Sequence, residues 1–208
     1  YVNITNEHKL KELLLKLKKK YKNLIIEEMI IGDLFRILII NHKIIDILVR
    51  KPGFVIGNNK NTINELIEIK NKKIKKIKEK RYISLIKKID IDKVKSQGYN
   101  LNDIPKKDVK IQLSIIPNSD YGRTLNKIDL DRVHLDNIKL FEKISKISNS
   151  IILGIDYISN DITKSYKEHG KILELNSNPN YVMHKSNYKD YSIIKKIFKN
   201  LQEYFKKL

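Results

Sequence analysis

The stretch that most restricts the fold lies near the C-terminus, where Gly154-Ile155-Asp156 is followed by Leu173-Glu174-Leu175-Asn176. The apolar runs 151–157 and 171–176 read as strands. The first carries an acid near its end, and the second carries an acid and an amide two residues apart. Side chains two apart on a strand share a face. If these strands pair, Asp156, Glu174 and Asn176 bring their oxygens into one small volume. Carboxylate and amide oxygens suit Mg²⁺, which is held by few protein groups together with phosphate and water. The pattern points to chemistry on a nucleotide phosphate.

Composition narrows the rest. A chain of 208 residues that is 41% hydrophobic can build a core in one domain or two small ones. It has no Cys, which excludes a disulfide framework and a thiolate metal site. No apolar run is long enough to span a bilayer and no signal-peptide pattern is present, so the expected location is cytoplasmic, with no membrane partner. The formal charge of +19 would ordinarily suggest an anionic macromolecule. Yet only five of the 43 basic residues are Arg (Arg36, Arg50, Arg81, Arg123, Arg132), and Ala is absent. That mix reads as a coding bias toward Lys, Ile and Asn. Phosphate recognition favours the bidentate fork of Arg, so a basic nucleic-acid-binding protein is a rival reading with less support. The first residue is Tyr1, not Met, which reads as a processed product, a fragment or a trimmed chain.

The elements follow from periodicity and caps. Residues 6–20 form an amphipathic helix, with Asn6 as cap and Leu10, Leu13, Leu14 and Leu17 at helical spacing. Residues 24–26 read as a short strand. Residues 34–40 and 43–50 read as a hairpin about Asn41-His42, and Lys51-Pro52-Gly53 ends it. Thr62 and Glu65 form a capping box for a helix over 62–70. The lysine run 71–80 is a solvated helix face or loop. A short helix over 89–97 stops at Gly98, and 109–115 alternates as a strand. Residues 117–128 are polar and turn-rich, a loop over a site. Helices over 135–148 and 188–207 complete the chain. Mixed helices and hairpins, with no strict alternation of strand and helix, predict an α+β fold with a mostly antiparallel sheet and flanking helices.

Three further groups carry candidate chemistry. Leu24 to Arg36 reads LIIEEMIIGDLFR, in which Glu27, Glu28 and Ile30 precede Gly32. Such a hinge can present backbone groups to an adenine edge between apolar side chains; a plain bend with solvated Glu is the simpler reading of this stretch alone. Arg36 and Arg50 lie on the two strands of the hairpin and can bind phosphate or a substrate carboxylate, or form a surface ion pair. His134 reads as structural, and His8 and His42 attract no role.

Taken in order, the blocks NLIIEEMIIGDLFRILIINHK, VRKPGFVIGNNKNTINELIEIKN, QGYNLNDIP, IDLDRVHLDN and GIDYI…ILELNSNPNYVMH resemble the ATP-grasp superfamily of carboxylate–amine ligases. The likeness is to the ATP-grasp domain of cyanophycin synthetase and the similar domain of bifunctional glutathione synthetases. It implies a partial ATP-grasp fold. Residues 1–30 would be a remnant of the small lobe with the adenine hinge, and 31–208 the large lobe with the metal site. It implies ATP and Mg²⁺ as cofactors, Glu27, Glu28 and Ile30 around adenine, and Asp156, Glu174 and Asn176 on the metal. Arg50, and with it Arg36, would act on the transferring phosphoryl group. The partners implied are small-molecule or peptide carboxylate and amine substrates, the upstream half of the ATP-grasp domain, and a homo-oligomer as an allowed state. Departures are visible. Leu34 stands where the family has a ribose-binding acid, with Asp33 one place earlier. Gly57-Asn58-Asn59 replaces a Gly-Asp-Gly turn, a glycine-rich turn is reduced to Tyr121-Gly122-Arg123, and Asn180 follows Pro179. The family's upstream lysines and glycine-rich loop precede the equivalent of Tyr1. The rival within this family is a non-catalytic remnant or binding module.

Overall fold

The computed structural model describes residues 4, 6–76, 84–187 and 192–206. Tyr1, Arg81, the end of the 71–80 lysine run and both ends of the helix expected over 188–207 lie outside them. The chain forms two compact units, Tyr1–Ile31 and Gly32–Leu208.

The first unit contains α1 (Glu7–Lys18). The Asn6 side chain accepts from Lys9 N at 2.8 Å, which satisfies one of the orphan donors of the first turn. The strand expected over 24–26 does not form. Residues 23–31 have no regular structure, and Ile25, Ile26 and Ile31 are exposed. A strand needs a ladder partner, and no other strand exists among the described residues of this unit.

The second unit holds β1 (Asp33–Ile40), β2 (Lys43–Lys51), β3 (Phe54–Ile56), α2 (Ile63–Lys76), α3 (Ile91–Lys95), β4 (Lys110–Gln112), β5 (Thr124–Ile128), α4 (Leu135–Ile147), β6 (Ile152–Ser159), α5 (Tyr166–His169), β7 (Lys171–Asn176) and α6 (Ser192–Phe205). Five strands form an antiparallel sheet in the order β5-β2-β1-β6-β7, and β3 pairs with β4 separately. The fold is α+β with an antiparallel sheet and flanking helices, as expected from the pattern. Asn41 and His42 join β1 to β2 with φ of 50° and 59°, the positive pair that a two-residue hairpin turn requires.

One expectation about a loop needs correction, and one short strand had no counterpart in the sequence reading. The polar stretch 117–128 is not all loop, because its last five residues are β5. An edge strand with one wet face carries too few apolar residues to announce itself. Strand β3 is short and follows Pro52-Gly53 directly, so its three residues give no measurable alternation. The capping box is present: Glu65 N donates to Thr62 Oγ1 at 3.3 Å, and Thr62 N donates to Glu65 Oε2 at 2.8 Å.

The large sheet is covered differently on its two faces. The centre of one face is apolar, with Asp33 and Lys51 paired at its edge. Phe35, Ile37, Ile47, Val49, Leu153, Ile155 and Tyr157 pack under α4, with Phe141 at the centre. The Phe141 and Tyr157 rings meet edge to face at 5.0 Å. On the other face α6 covers only Leu38, Ile40 and Ile45, through Ile193 and Ile197. The remainder of that face carries charge.

Phe141 is fully buried against the ring of Tyr157. Replacing it with Ala should cost about 3–5 kcal/mol of stability, read from the midpoint of urea unfolding at unchanged slope.

Candidate functional site

Register builds the charged region. Arg36 on β1 lies opposite Leu48 on β2 and opposite Asp156 on β6. Arg50 is two residues beyond Leu48 and shares its face. Asp156 lies opposite Glu174 on β7, and Gly154 opposite Asn176. Arg36, Arg50, Asp156, Glu174 and Asn176 therefore project from four neighbouring strands onto one side of the sheet.

The contacts are close. Arg36 Nη2 donates to Asp156 Oδ2 at 3.1 Å, and Arg36 Nε lies 2.8 Å from Oδ1. That second approach is an ion-pair contact without hydrogen-bond alignment, so Nε and Oδ1 are buried with no hydrogen-bond partner. Arg50 Nη2 is 3.5 Å from Asp156 Oδ1 and donates to Met183 Sδ at 3.8 Å. Oriented to suit both neighbours, the Asn176 amide donates to Glu174 Oε1 and accepts from Arg36 Nη1, each at 3.1 Å. Gly154 makes this possible. A Cβ there would come within 2.8 Å of Arg36 Nη1 and 2.7 Å of Pro179 Cβ, so only glycine lets the guanidinium lie across β6.

Burial sets the electrostatics. The side chains of Arg36, Arg50 and Asp156 are only 11%, 9% and 10% exposed. Loss of hydration pushes Arg50 down to about 10, against the attraction of Asp156 and with the help of Arg36 and Arg123. Loss of hydration also raises Asp156, with Arg50 and Arg36 pulling the other way. Arg123 is lowered by burial first and by the charge of Arg36 second, while Asp156 opposes both. Three of the chain's five arginines thus act on one carboxylate.

No family model matches this chain. Two curated relatives are similar to it: a cyanophycin synthetase from Synechocystis sp., 32% identical over 80% of this chain and 20% of its own length, and the glutathione biosynthesis bifunctional protein GshAB of Clostridium perfringens, 34% identical over 80% and 22%. Among solved structures, a bifunctional glutathione synthetase from Pasteurella multocida superposes with a TM-score of 0.61 at 24% identity, over 82% of this chain and 25% of that one. Over the matched length the chain is similar to these synthetases, and it has part of the ATP-grasp fold. It is cyanophycin synthetase-like, and it spans about a fifth of the length of the curated relatives it matches.

Within this ATP-grasp unit the oxygens of Asp156, Glu174 and Asn176 sit on adjacent strands. Glu174 is exposed, and Asp156 Oδ1 is buried without a hydrogen bond. Two carboxylates and an amide fit a hard cation in donor type. No cluster of three or more His, Asp, Glu or Cys occurs among the described residues, so the amide is part of any such set. Glu27, Glu28 and Ile30 belong to the first unit, where both acids are exposed and Ile30 is half-buried.

Asp33 and Leu34 lie on opposite faces of β1. Leu34 shares the face of Arg36, whereas Asp33 points to the opposite face and pairs with Lys51. His134 is structural, its side chain accepting from Asp136 N at the start of α4. Sequence reasoning assigned no role to Arg123, Met183, Gly154 or the fully buried His184, whose Nδ1 lies 2.8 Å from Asp46 Oδ2. A signal for Arg123 existed. In a chain so biased to Lys, each remaining Arg marks a place where the fork matters.

Arg36→Gln should destabilise the fold by about 3 kcal/mol near neutral pH, because it strips a buried carboxylate of its fork. The carboxyl of Asp156 is already raised in the folded state and rises further in the variant. A raised acid favours folding below its unfolded range and loses that benefit as pH climbs through the folded value. The deficit of the variant should therefore shrink as pH is lowered toward about 4.5, as followed by urea unfolding at a series of pH values.

Proposed function

We propose that this chain carries the phosphoryl-transfer centre of an ATP-dependent carboxylate–amine ligase. The observation that supports it most is the convergence of Asp156, Glu174 and Asn176 with Arg36 and Arg50 on one sheet face. Asp156, Glu174 and Asn176 would hold Mg²⁺, which when bound supplies positive charge to the phosphate oxygens. Arg50, anchored on one side only, turns its remaining donors toward the transferring group. Arg36 fixes Asp156 and Asn176 and keeps the oxygens in register.

In this reading a carboxylate oxygen of one substrate bonds to the terminal phosphorus of ATP as the bond to the bridging oxygen breaks, and ADP leaves. An amine then attacks the acyl carbon, phosphate departs and an amide remains. The protein contributes position and charge, with little covalent chemistry of its own. Glu27, Glu28 and Ile30 are proposed to border the adenine. The cofactors in this reading are ATP and Mg²⁺, and the substrates are a small-molecule or peptide carboxylate and an amine.

A second reading, a binding module without turnover, draws support from one observation. Leu34 takes the place of the ribose acid, and Asp33 is turned away from the site. Lost hydrogen bonds to the ribose weaken nucleotide binding.

The test uses the protein that carries this chain. Supplied with ATP, Mg²⁺, a carboxylate and an amine, it should release ADP. Glu174→Gln, which keeps the shape of an exposed side chain, should lower turnover by a factor of about 10³ or more with an unchanged melting temperature. Full activity in that variant would remove Glu174 from the metal set. Nucleotide binding without ADP release in the unaltered protein would favour the binding module.

A further inference from the structure

The feature left unexplained by that mechanism is Arg123. It directly precedes β5, in which Thr124 lies opposite Lys51 and Leu125 opposite Arg50. Alternation sets Arg123 with Leu125 on the face that carries Arg50, Arg36 and Asp156. The loop before it is held in place. Gly53 packs so closely beneath the Tyr121 carbonyl that no Cβ would fit, Tyr121 bridges to Ile86, and Gly122 turns with φ of 72°.

On this fixed loop the guanidinium is half-buried. Its Nε is buried with no hydrogen-bond partner, and no carboxylate among the described residues lies within ion-pair distance of it. The nearby charge of Arg36 repels it. Half-burial of this cation costs stability, and the attraction of Asp156 is weaker than the burial and the Arg36 repulsion that oppose it. A fold retains such a group where the anion arrives with the ligand.

Strand order indicates which anion. The oxygens of Asp156, Glu174 and Asn176 lie toward β7, Arg123 lies at the β5 edge, and Arg36 and Arg50 stand between. A nucleotide whose phosphates sit at the oxygen end presents its terminal phosphoryl over the two central arginines. The group beyond them, on the β5 side, is the acceptor. We propose that Arg123 binds the carboxylate of the acceptor substrate and makes this chain selective for acids that bring it there. The identity of the phosphoryl donor rests on the reading of the previous section; the carboxylate site does not require turnover. Two anions must meet for the transfer, and a guanidinium on the acceptor side offsets their repulsion.

The experiment compares the unaltered protein with Arg123→Gln and Arg123→Lys. Melting temperature is followed against glutarate and, separately, inorganic phosphate, with no nucleotide present. The unaltered protein should be stabilised by both anions. Arg123→Gln should melt higher than the unaltered protein in the absence of anions, lose its response to glutarate and keep its response to phosphate. Arg123→Lys keeps the charge without the fork and should show a weakened glutarate response, which serves if the Gln variant does not fold. In turnover, the carboxylate concentration for half-maximal rate should rise roughly tenfold to a hundredfold in Arg123→Gln, with that for ATP unchanged. A glutarate response that is absent in the unaltered protein, or retained in Arg123→Gln, overturns the proposal. So does loss of the phosphate response in its place, which would assign Arg123 to the nucleotide. Absence of turnover in the unaltered protein, with the glutarate result as expected, supports the carboxylate site and counts against the ligase reading alone.

Discussion

The arrangement depends on one buried carboxylate. Asp156 on β6 meets Arg36 on the adjacent β1 and, across it, Arg50 on β2, because β1 lies between those two strands. A charge this deep is tolerable only when opposite charge meets it with good geometry. The geometry comes from register. The carboxylate lies opposite Arg36 because β6 pairs with β1 without a slip over eight residues. A shift of one residue would turn Asp156 toward Phe141 and put an isoleucine or a tyrosine among the arginines. The apolar face and the charged face therefore enforce the same register from opposite sides.

That coupling explains how one side of a sheet can remain polar without loosening the fold. The α4 face supplies a continuous apolar layer, centred on Phe141 and Tyr157, and α6 closes only part of the second face. Asp46 and His184 lie where the α6-covered region gives way to the charged one. Their contact ties the 181–187 turn to β2. Met183, next in the chain to His184, then reaches Arg50. The turn after the Asn176 strand is in this way fastened to the strand that carries Arg50, four residues along from Asp46.

Much of this was legible in the sequence, for physical reasons that can be named. The hairpin, the caps at Asn6 and Thr62, and the β6–β7 pair rest on interactions among residues near in sequence, or on alternation strong enough to survive without context. What was missed depends on distant partners. Residues 24–26 have strand composition but no ladder to join, and β5 has a ladder but little strand composition. Arg123 looked like a remnant of a glycine-rich turn, because a single sequence does not reveal which strand edge the loop returns to. Of the charges it lies near, Arg50 is 73 residues earlier in the chain and Asp156 33 residues later. Composition held the one usable hint, the scarcity of Arg among so many Lys.

The same period of two explains why a near miss in sequence can be a complete miss in space. Asp33 stands one position before Leu34, and on paper a slipped acid looks able to take over the ribose-binding place. On a strand it cannot. Leu34 shares the face of Arg36 and Leu38, while Asp33 shares the face of Phe35 and Ile37 and is held there by Lys51. Bringing Asp33 to the site would require a slip of β1, and that slip would also remove Arg36 from Asp156. The buried ion cluster therefore fixes both what the site has and what it lacks: the register that keeps Arg36 on Asp156 is the register that keeps an acid away from position 34.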